Sequence, residues 1–241
     1  MQKNSLVWAS IILATGIFLL GMSIKSGIVK FKEMDRTVTV KGLSEREVKA
    51  DKVTWPLIYK EIGNNPSDMY TNMEKKNALV IAFLKAGGIT EQEIIVNPPT
   101  ITDRQADNYG NEIMNFRYKA TSCIIVTSNN VDRVRSLIRK QKELMKQGIA
   151  LLTDEYENSI TSIQYEFTGF NNIKPAMVEE ANKNARTTAK KFAEDANSKV
   201  GAIVSAQQGQ FSIENRDRNT PYIKKIRVVS TIQYSLERIF C

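Results

Sequence analysis

Apolar and polar positions fall into two regimes along this chain. Leu6 to Ile24 runs LVWASIILATGIFLLGMSI, apolar on every face and free of charge. At about 1.5 Å per residue, such a helix approaches the roughly 30 Å hydrocarbon core of a bilayer. The pattern therefore predicts one N-terminal transmembrane helix, with Trp8 at an interface. A buried core helix is disfavoured because no polar stripe is present. An uncleaved anchor over 1–25 is expected ahead of a cleaved signal peptide, since Gly21-Met22-Ser23 is a poor small-x-small cleavage site. Residues 26–35 then read as a linker and 36–241 as a folded α+β domain.

From Arg36 onward the periodicity alternates between two and 3.6. Arg36 to Gly42 places Val38 and Val40 on one face and predicts a strand, with Gly42 to Lys49 as a polar turn. Lys52 to Ile62 puts Val53, Trp55, Leu57 and Tyr59 on one face of a second strand. Pro56 within it removes a backbone donor, which predicts an edge or a bulge. Asn65 as cap, Pro66 as first residue and Asp68 in the first turn predict a helix. Met69, Met73, Val80 and Leu84 are its apolar positions, and Gly87-Gly88 stops it. Glu93–Ile101 and Phe116–Thr127 read as a hairpin with a polar tip at Asp103–Glu112.

The second half follows the same order. Ile160–Thr168 alternates as a strand, and a turn with Asn171, Asn172 and Pro175 opens a helix to about Lys199. Ala181, Ala185, Thr188, Phe192 and Ala196 are its expected stripe. Ala202–Ile213 and Ile223–Leu236 form a second hairpin around a polar tip, Glu214–Pro221. The expectation is thus a duplicated strand–helix–strand–strand unit with helices packed on antiparallel sheet. An extra helix at Val131–Lys146, with stripe Val131, Val134, Ile138 and Met145, separates the copies.

Composition narrows the chemistry. The chain has no histidine, so it lacks the commonest general base and the commonest transition-metal ligand. Its net charge of +8 comes from 34 basic and 26 acidic residues that are interspersed, which describes a mixed solvated surface. Cys123 lies in an apolar run and reads as a buried small hydrophobe, while Cys241 is terminal, so no disulfide framework is expected. Nucleotide-binding, serine-hydrolase and zinc-protease motifs are all missing. Asp103 with Asp107, and Asp154 with Glu155 and Glu157, have the spacing of carboxylate pairs, which solvated loops also produce. Tyr109, Phe116 and Tyr118 could stack bases, but alternation places Phe116 and Tyr118 on the sheet. No catalytic residue, cofactor or metal site is assigned. The candidate contacts for an anionic partner are Arg133, Arg135, Arg139, Lys140 and Lys142, on one side of the middle helix.

The stretch Val38-Thr-Val-Lys-Gly-Leu-Ser-Glu-Arg-Glu-Val-Lys-Ala-Asp51 resembles the opening of the SIMPL domain family. Glu179 to Ala193, followed by Gly201, looks like that family's alanine-spaced helix and glycine turn, and the resemblance covers most of Arg36–Leu236. It implies a non-enzymatic envelope protein linked to stress tolerance, in a family where some members form ring-like oligomers. It also implies an extracytoplasmic location, hence a periplasmic domain on the single-pass inner-membrane anchor read from Leu6–Ile24; many relatives instead carry ordinary signal peptides, and the chain departs from them in that segment. Lys25, Lys30 and Lys32 pull the other way, since positive charge favours the cytoplasmic side. The expected partners are further copies of the chain and the membrane through residues 6–24. No specific nucleic acid and no small-molecule substrate is expected. The alternative function is binding of a polyanion or anionic lipid by the basic helix 131–146.

Overall fold

The computed structural model describes residues 13–28, 36–106, 115–152 and 161–238. Residues 13–28 form a helix, α1, in which every residue is exposed. Leu13 and Phe18, for example, are 67% and 68% exposed. Among the described residues no helix is long and apolar enough to cross a membrane. The first seven positions of the expected span, Leu6–Ile12, lie outside them.

The remaining elements are β1 (Thr37–Lys49), β2 (Lys52–Gly63), α2 (Pro66–Ala86), β3 (Ile94–Asp103), β4 (Tyr118–Ser128), α3 (Val131–Lys140) and α4 (Lys142–Lys146). They continue with β5 (Gln164–Glu166), α5 (Phe170–Asp195), β6 (Ser198–Gln208), β7 (Ser212–Asn215) and β8 (Ile223–Arg238). The chain divides into two compact units that interleave in sequence. One takes Glu47–Asn171 and Glu214–Lys225, and the other takes the described residues before, between and after these segments. Helices with antiparallel sheet give the α+β class expected.

The unit built on Glu47–Asn171 has a sheet in the order β3–β4–β2–β5. Alternation along β2 buries Val53, Trp55, Leu57 and Tyr59, as the pattern predicts. Asn65 caps α2 by accepting from the Ser67 N–H at 3.0 Å, and Pro66 opens the helix. Met69, Met73, Val80 and Leu84 are its buried positions. The Tyr59 hydroxyl donates to this helix through the Met73 carbonyl and the Asn77 side chain. Pro56 causes no broken ladder. The Leu152 N–H donates to the Ile58 carbonyl at 2.7 Å on the side away from β4. Pro56, two residues earlier, faces that same side, where β5 pairs only Lys52–Thr54. Locally, then, Pro56 lies on an edge.

Three readings change in this unit. The middle helix is two helices, and the break at Gln141 places Leu144 inside instead of Met145, which is 62% exposed. Leu137 likewise joins Val131 and Val134 as a buried position, with Ile138 only partly covered. Cys123 is half-buried on the opposite face of β4 from Ser122 and Ile124, so it is not the core residue expected. Finally, only Gln164–Glu166 of the expected strand Ile160–Thr168 is a strand, Ile160 being outside the described residues. This short strand pairs with β2, so it does not open a second copy of the repeat.

The other unit has a sheet in the order β1–β8–β6, with β7 also on β8, and α5 packs on it. β1 runs to Lys49 instead of turning at Gly42. Its buried positions beyond Val40 are Gly42 and Ser44, too small and polar to register as strand periodicity. Gly42 is buried because α5 lies directly over it. A Cβ there would fall 1.9 Å from the Ala181 carbonyl oxygen and 2.5 Å from the Ala185 amide nitrogen. The stripe of α5 is Met177, Ala181, Ala185, Ala189 and Ala193, so Thr188, Phe192 and Ala196 were read onto the wrong side. Glu180 secures the same approach, accepting from Ser44 Oγ at 2.9 Å and Arg46 Nη2 at 3.2 Å.

Helix α5 begins at Phe170, so Pro175 lies inside it instead of in a preceding turn. The start is fixed by Asp51, whose carboxylate accepts the Thr168 and Gly169 N–H groups at 2.7 and 2.9 Å. Negative charge there also suits the helix dipole. Burial raises the Asp51 carboxyl, yet the Thr168 and Gly169 bonds outweigh it and hold the group below its usual range.

Two outcomes follow for stability. Gly42→Ala should destabilise by about 1–3 kcal/mol or more, because backbone rather than a flexible side chain blocks the new methyl. Urea unfolding of the two chains measures this, and an unchanged midpoint would contradict the packing. Asp51→Asn should cost on the order of 1 kcal/mol at pH 7. A lowered folded pKa gives stability that is complete above about pH 4 and lost as pH falls through the folded value. The difference between wild type and Asp51→Asn should therefore shrink in unfolding curves taken below pH 4.

Candidate functional site: the basic helices

Local sequence positions the basic residues well. Asn130 caps α3 by accepting from the Arg133 N–H at 3.0 Å, and Asp132 lies in its first turn. Val131, Val134 and Leu137 then bury one stripe and turn the arginines and lysines outward. Arg139 and Lys140 fall in the last turn, where the helix dipole favours cations.

The five candidate residues do not form one surface group. Arg133 turns back, and its Nη1 donates to the Gly88 carbonyl at 2.8 Å, closing the turn after α2. Arg135 lies over the Tyr222 ring, with its guanidinium carbon 3.3 Å from the centroid. Tyr222 in turn meets Tyr165 edge-on, with ring centroids 6.2 Å apart, and its carbonyl accepts the Ala50 N–H at 2.8 Å. Arg135 also reaches Asp132 at 3.5 Å. Burial raises the Tyr165 hydroxyl above its ordinary pKa, although the nearby Arg135 charge opposes that rise. These two arginines therefore hold the fold together. Arg139, Lys140 and Lys142 are exposed, and among the described residues none of them forms an ion pair. They remain as the free cations of the basic face.

An open cleft of about 670 Å³ lies at the start of α3, lined by Ala50, Glu93 and Thr127–Asp132. Its carboxylates are already engaged. Glu93 accepts the Thr90 N–H and hydroxyl, both at 2.8 Å. A Ser128 hydroxyl and these Thr90 bonds hold its carboxyl below the usual range, against the upward pull of burial. Asp132 is the partner of Arg135.

The other candidate groups scatter. Asp103 forms a two-pronged pair with Arg117, with Nε and Nη2 at 3.0 and 2.8 Å from one carboxylate oxygen, while Asp107 lies outside the described residues. Asp154, Glu155 and Glu157 also lie outside them. Phe116 is exposed, contrary to the expected sheet packing, whereas Tyr118 packs against the core; Tyr109 is outside the described residues. The tip Glu214–Pro221 is organised by Asp217. Its carboxylate accepts Asn219 and Thr220 N–H groups at 2.8 and 2.7 Å, and also meets the Thr220 hydroxyl and Arg216. The Thr220 hydroxyl first and Arg216 second lower its pKa to about 2. Among the described residues no cluster of three or more His, Cys, Asp or Glu side chains could hold a metal ion.

Tyr222 escaped the sequence reading because its role depends on an arginine far away in the chain. The only local signal was an aromatic residue just beyond a turn proline. Asp51 was visible as the last residue of the family-like stretch Val38–Asp51, but its bonds to Thr168 and Gly169 had no sequence trace.

The division of the arginines gives a test. Arg135→Glu should cost roughly 1–2 kcal/mol, through the lost stacking and a carboxylate brought toward Asp132. Arg139→Glu should stay within about 0.5 kcal/mol of wild type. Equal losses in thermal unfolding would contradict the division.

A comparison with curated proteins finds no match. The model of a protein family described as SIMPL, protein of unknown function (DUF541), matches residues 38–231, most of the chain, and the chain therefore belongs to the SIMPL family.

Proposed function

We propose that this chain is a membrane-tethered protein of the cell envelope, without a catalytic centre, that acts through self-association or partner binding in envelope stress tolerance. The observation that carries the tether is α1. Leu13, Ile17, Phe18, Leu19, Leu20, Met22, Ile24 and Ile28 are all exposed on one helix. A helix apolar on every face needs an apolar surrounding, and a bilayer supplies one. In sequence, the charge-free run Leu6–Ile24 has the length of a single span. The SIMPL membership supports a domain on the periplasmic side of the inner membrane. The matching orders β3–β4–β2 and β6–β8–β1 support reading both units as copies of one strand–helix–strand–strand element. In that reading β1, not β5, is the first strand of the second copy.

A second reading rests on Arg139, Lys140 and Lys142. Exposed cations that form no ion pair among the described residues suit a polyanion or anionic headgroups. Reversal of all three to Glu should abolish binding to anionic vesicles and to polyphosphate. Wild-type binding, where it occurs, should weaken steeply with salt.

The tether predicts that the full chain stays with membranes through an alkaline carbonate wash. Ile17→Arg with Leu20→Arg should release it, since each arginine costs about 2.5–3.5 kcal/mol at a span centre. Extraction of the wild-type chain by carbonate would sink the reading.

A further inference from the structure

The chain enters the sheet β1–β8–β6 at Arg36, and hydrogen bonds fix what stands beside that entry. The Arg36 carbonyl accepts the Leu236 N–H at 2.8 Å, near the end of β8. Its guanidinium donates to Ser198 Oγ at 3.2 Å, and that hydroxyl donates to the Ala196 carbonyl at 3.2 Å. Ser198 opens β6 and is the register partner of Arg238. One end of this unit therefore gathers the start of β1, the start of β6, the end of β8 and the last turns of α5.

Three observations single out this end. Phe192, in the last turns of α5, is 57% exposed. The same end carries the cations Arg36, Lys190, Lys191, Lys199 and Arg238 against the carboxylates of Glu194, Asp195 and Glu237. All of these cations but Arg36 are exposed, and among the described residues none of those four forms an ion pair. Chain length supplies the location. Only residues 29–35 separate Ile28, at the end of the apolar helix α1, from Arg36. Fully extended, that connection reaches about 28 Å at most. Beyond Arg238 the sequence turns apolar again, as Ile239-Phe240-Cys241, outside the described residues.

We propose that this end of the unit docks on the bilayer that holds α1. Phe192 enters the headgroup layer, and Lys190, Lys191, Lys199 and Arg238 meet the phosphates of anionic phospholipids. The occupant follows from the short connection. It keeps these side chains beside headgroups at a high effective concentration, which no dissolved anion shares. Each exposed lysine or arginine near an anionic surface adds attraction, and an aromatic ring buries apolar area at the acyl boundary. Long lysine and arginine stems let the charges reach the phosphates from a ring seated slightly deeper. The three carboxylates weaken the attraction without reversing it, because the cations outnumber them. The docking deepens the tether reading and rests on it.

The test uses the full-length chain reconstituted in vesicles of phosphatidylcholine, with or without phosphatidylglycerol. A membrane-impermeant amine reagent labels exposed lysines, and mass spectrometry reads each site. Lys174, roughly 25 Å from Lys191 along α5, is the internal reference. Phosphatidylglycerol should slow labelling of Lys190, Lys191 and Lys199 about fivefold or more relative to Lys174, and high salt should restore it. Lys191→Glu with Phe192→Asp should abolish the protection of Lys190 and Lys199 while the chain still resists a carbonate wash. Arg139→Glu, in the other unit, should leave the protection intact. Labelling indifferent to phosphatidylglycerol in a carbonate-resistant chain, or protection that survives the double variant, would overturn the docking and leave the tether standing. A wild-type chain washed off by carbonate would overturn both.

Discussion

Helix α5 lies so close to β1 that Gly42 has no space for a single methyl group, and much of its unit depends on that closeness. Alanines at 181, 185, 189 and 193 let the helix backbone approach the sheet, and the same approach buries Val40, Ile232 and Tyr234. A stripe one alanine wide covers little area, however. It reaches β1 and β8 and leaves β6 uncovered from Ala202 onward.

The other unit solves the same problem with bulk. Trp55, Leu57, Tyr59, Met73, Leu84 and Leu144 fill a larger core beneath three helices. Polar groups inside it are matched instead of excluded: Asn77 accepts from both Tyr59 and Ser122 hydroxyls at 2.8 Å. The Arg135–Tyr222–Tyr165 stack and the Asp51 bonds to Thr168 and Gly169 join segments far apart in sequence. Such contacts explain why a basic helix face shrinks, on inspection, to three free cations.

Local chemistry was well legible. The Asn65-Pro66 start of α2, its four buried apolar positions and the alternation of β2 all follow from spacing and capping alone. Legibility failed where burial fell to small residues. Gly42 and Ser44 hid the second half of β1, and Ala189 and Ala193 were passed over for the larger Phe192, which is exposed. A single break at Gln141 rotated the end of the middle helix and exchanged Met145 for Leu144. The pairing of β5 with β2, and of Tyr222 with Arg135, is long-range and leaves no periodic trace. The basic cluster was legible as a list, but its division into bound and free members was not.

The function proposed for this SIMPL chain holds its folded part at the outer face of the inner membrane. Protease treatment of intact spheroplasts, with mapping of the mature N-terminus, tests this most directly. The account predicts that residues from Arg36 onward are digested from outside, while an N-terminal fragment containing Leu6–Ile24 survives in the membrane with its original first residue. A domain protected until the cells are lysed, or a mature chain that begins after Ile24, would contradict it.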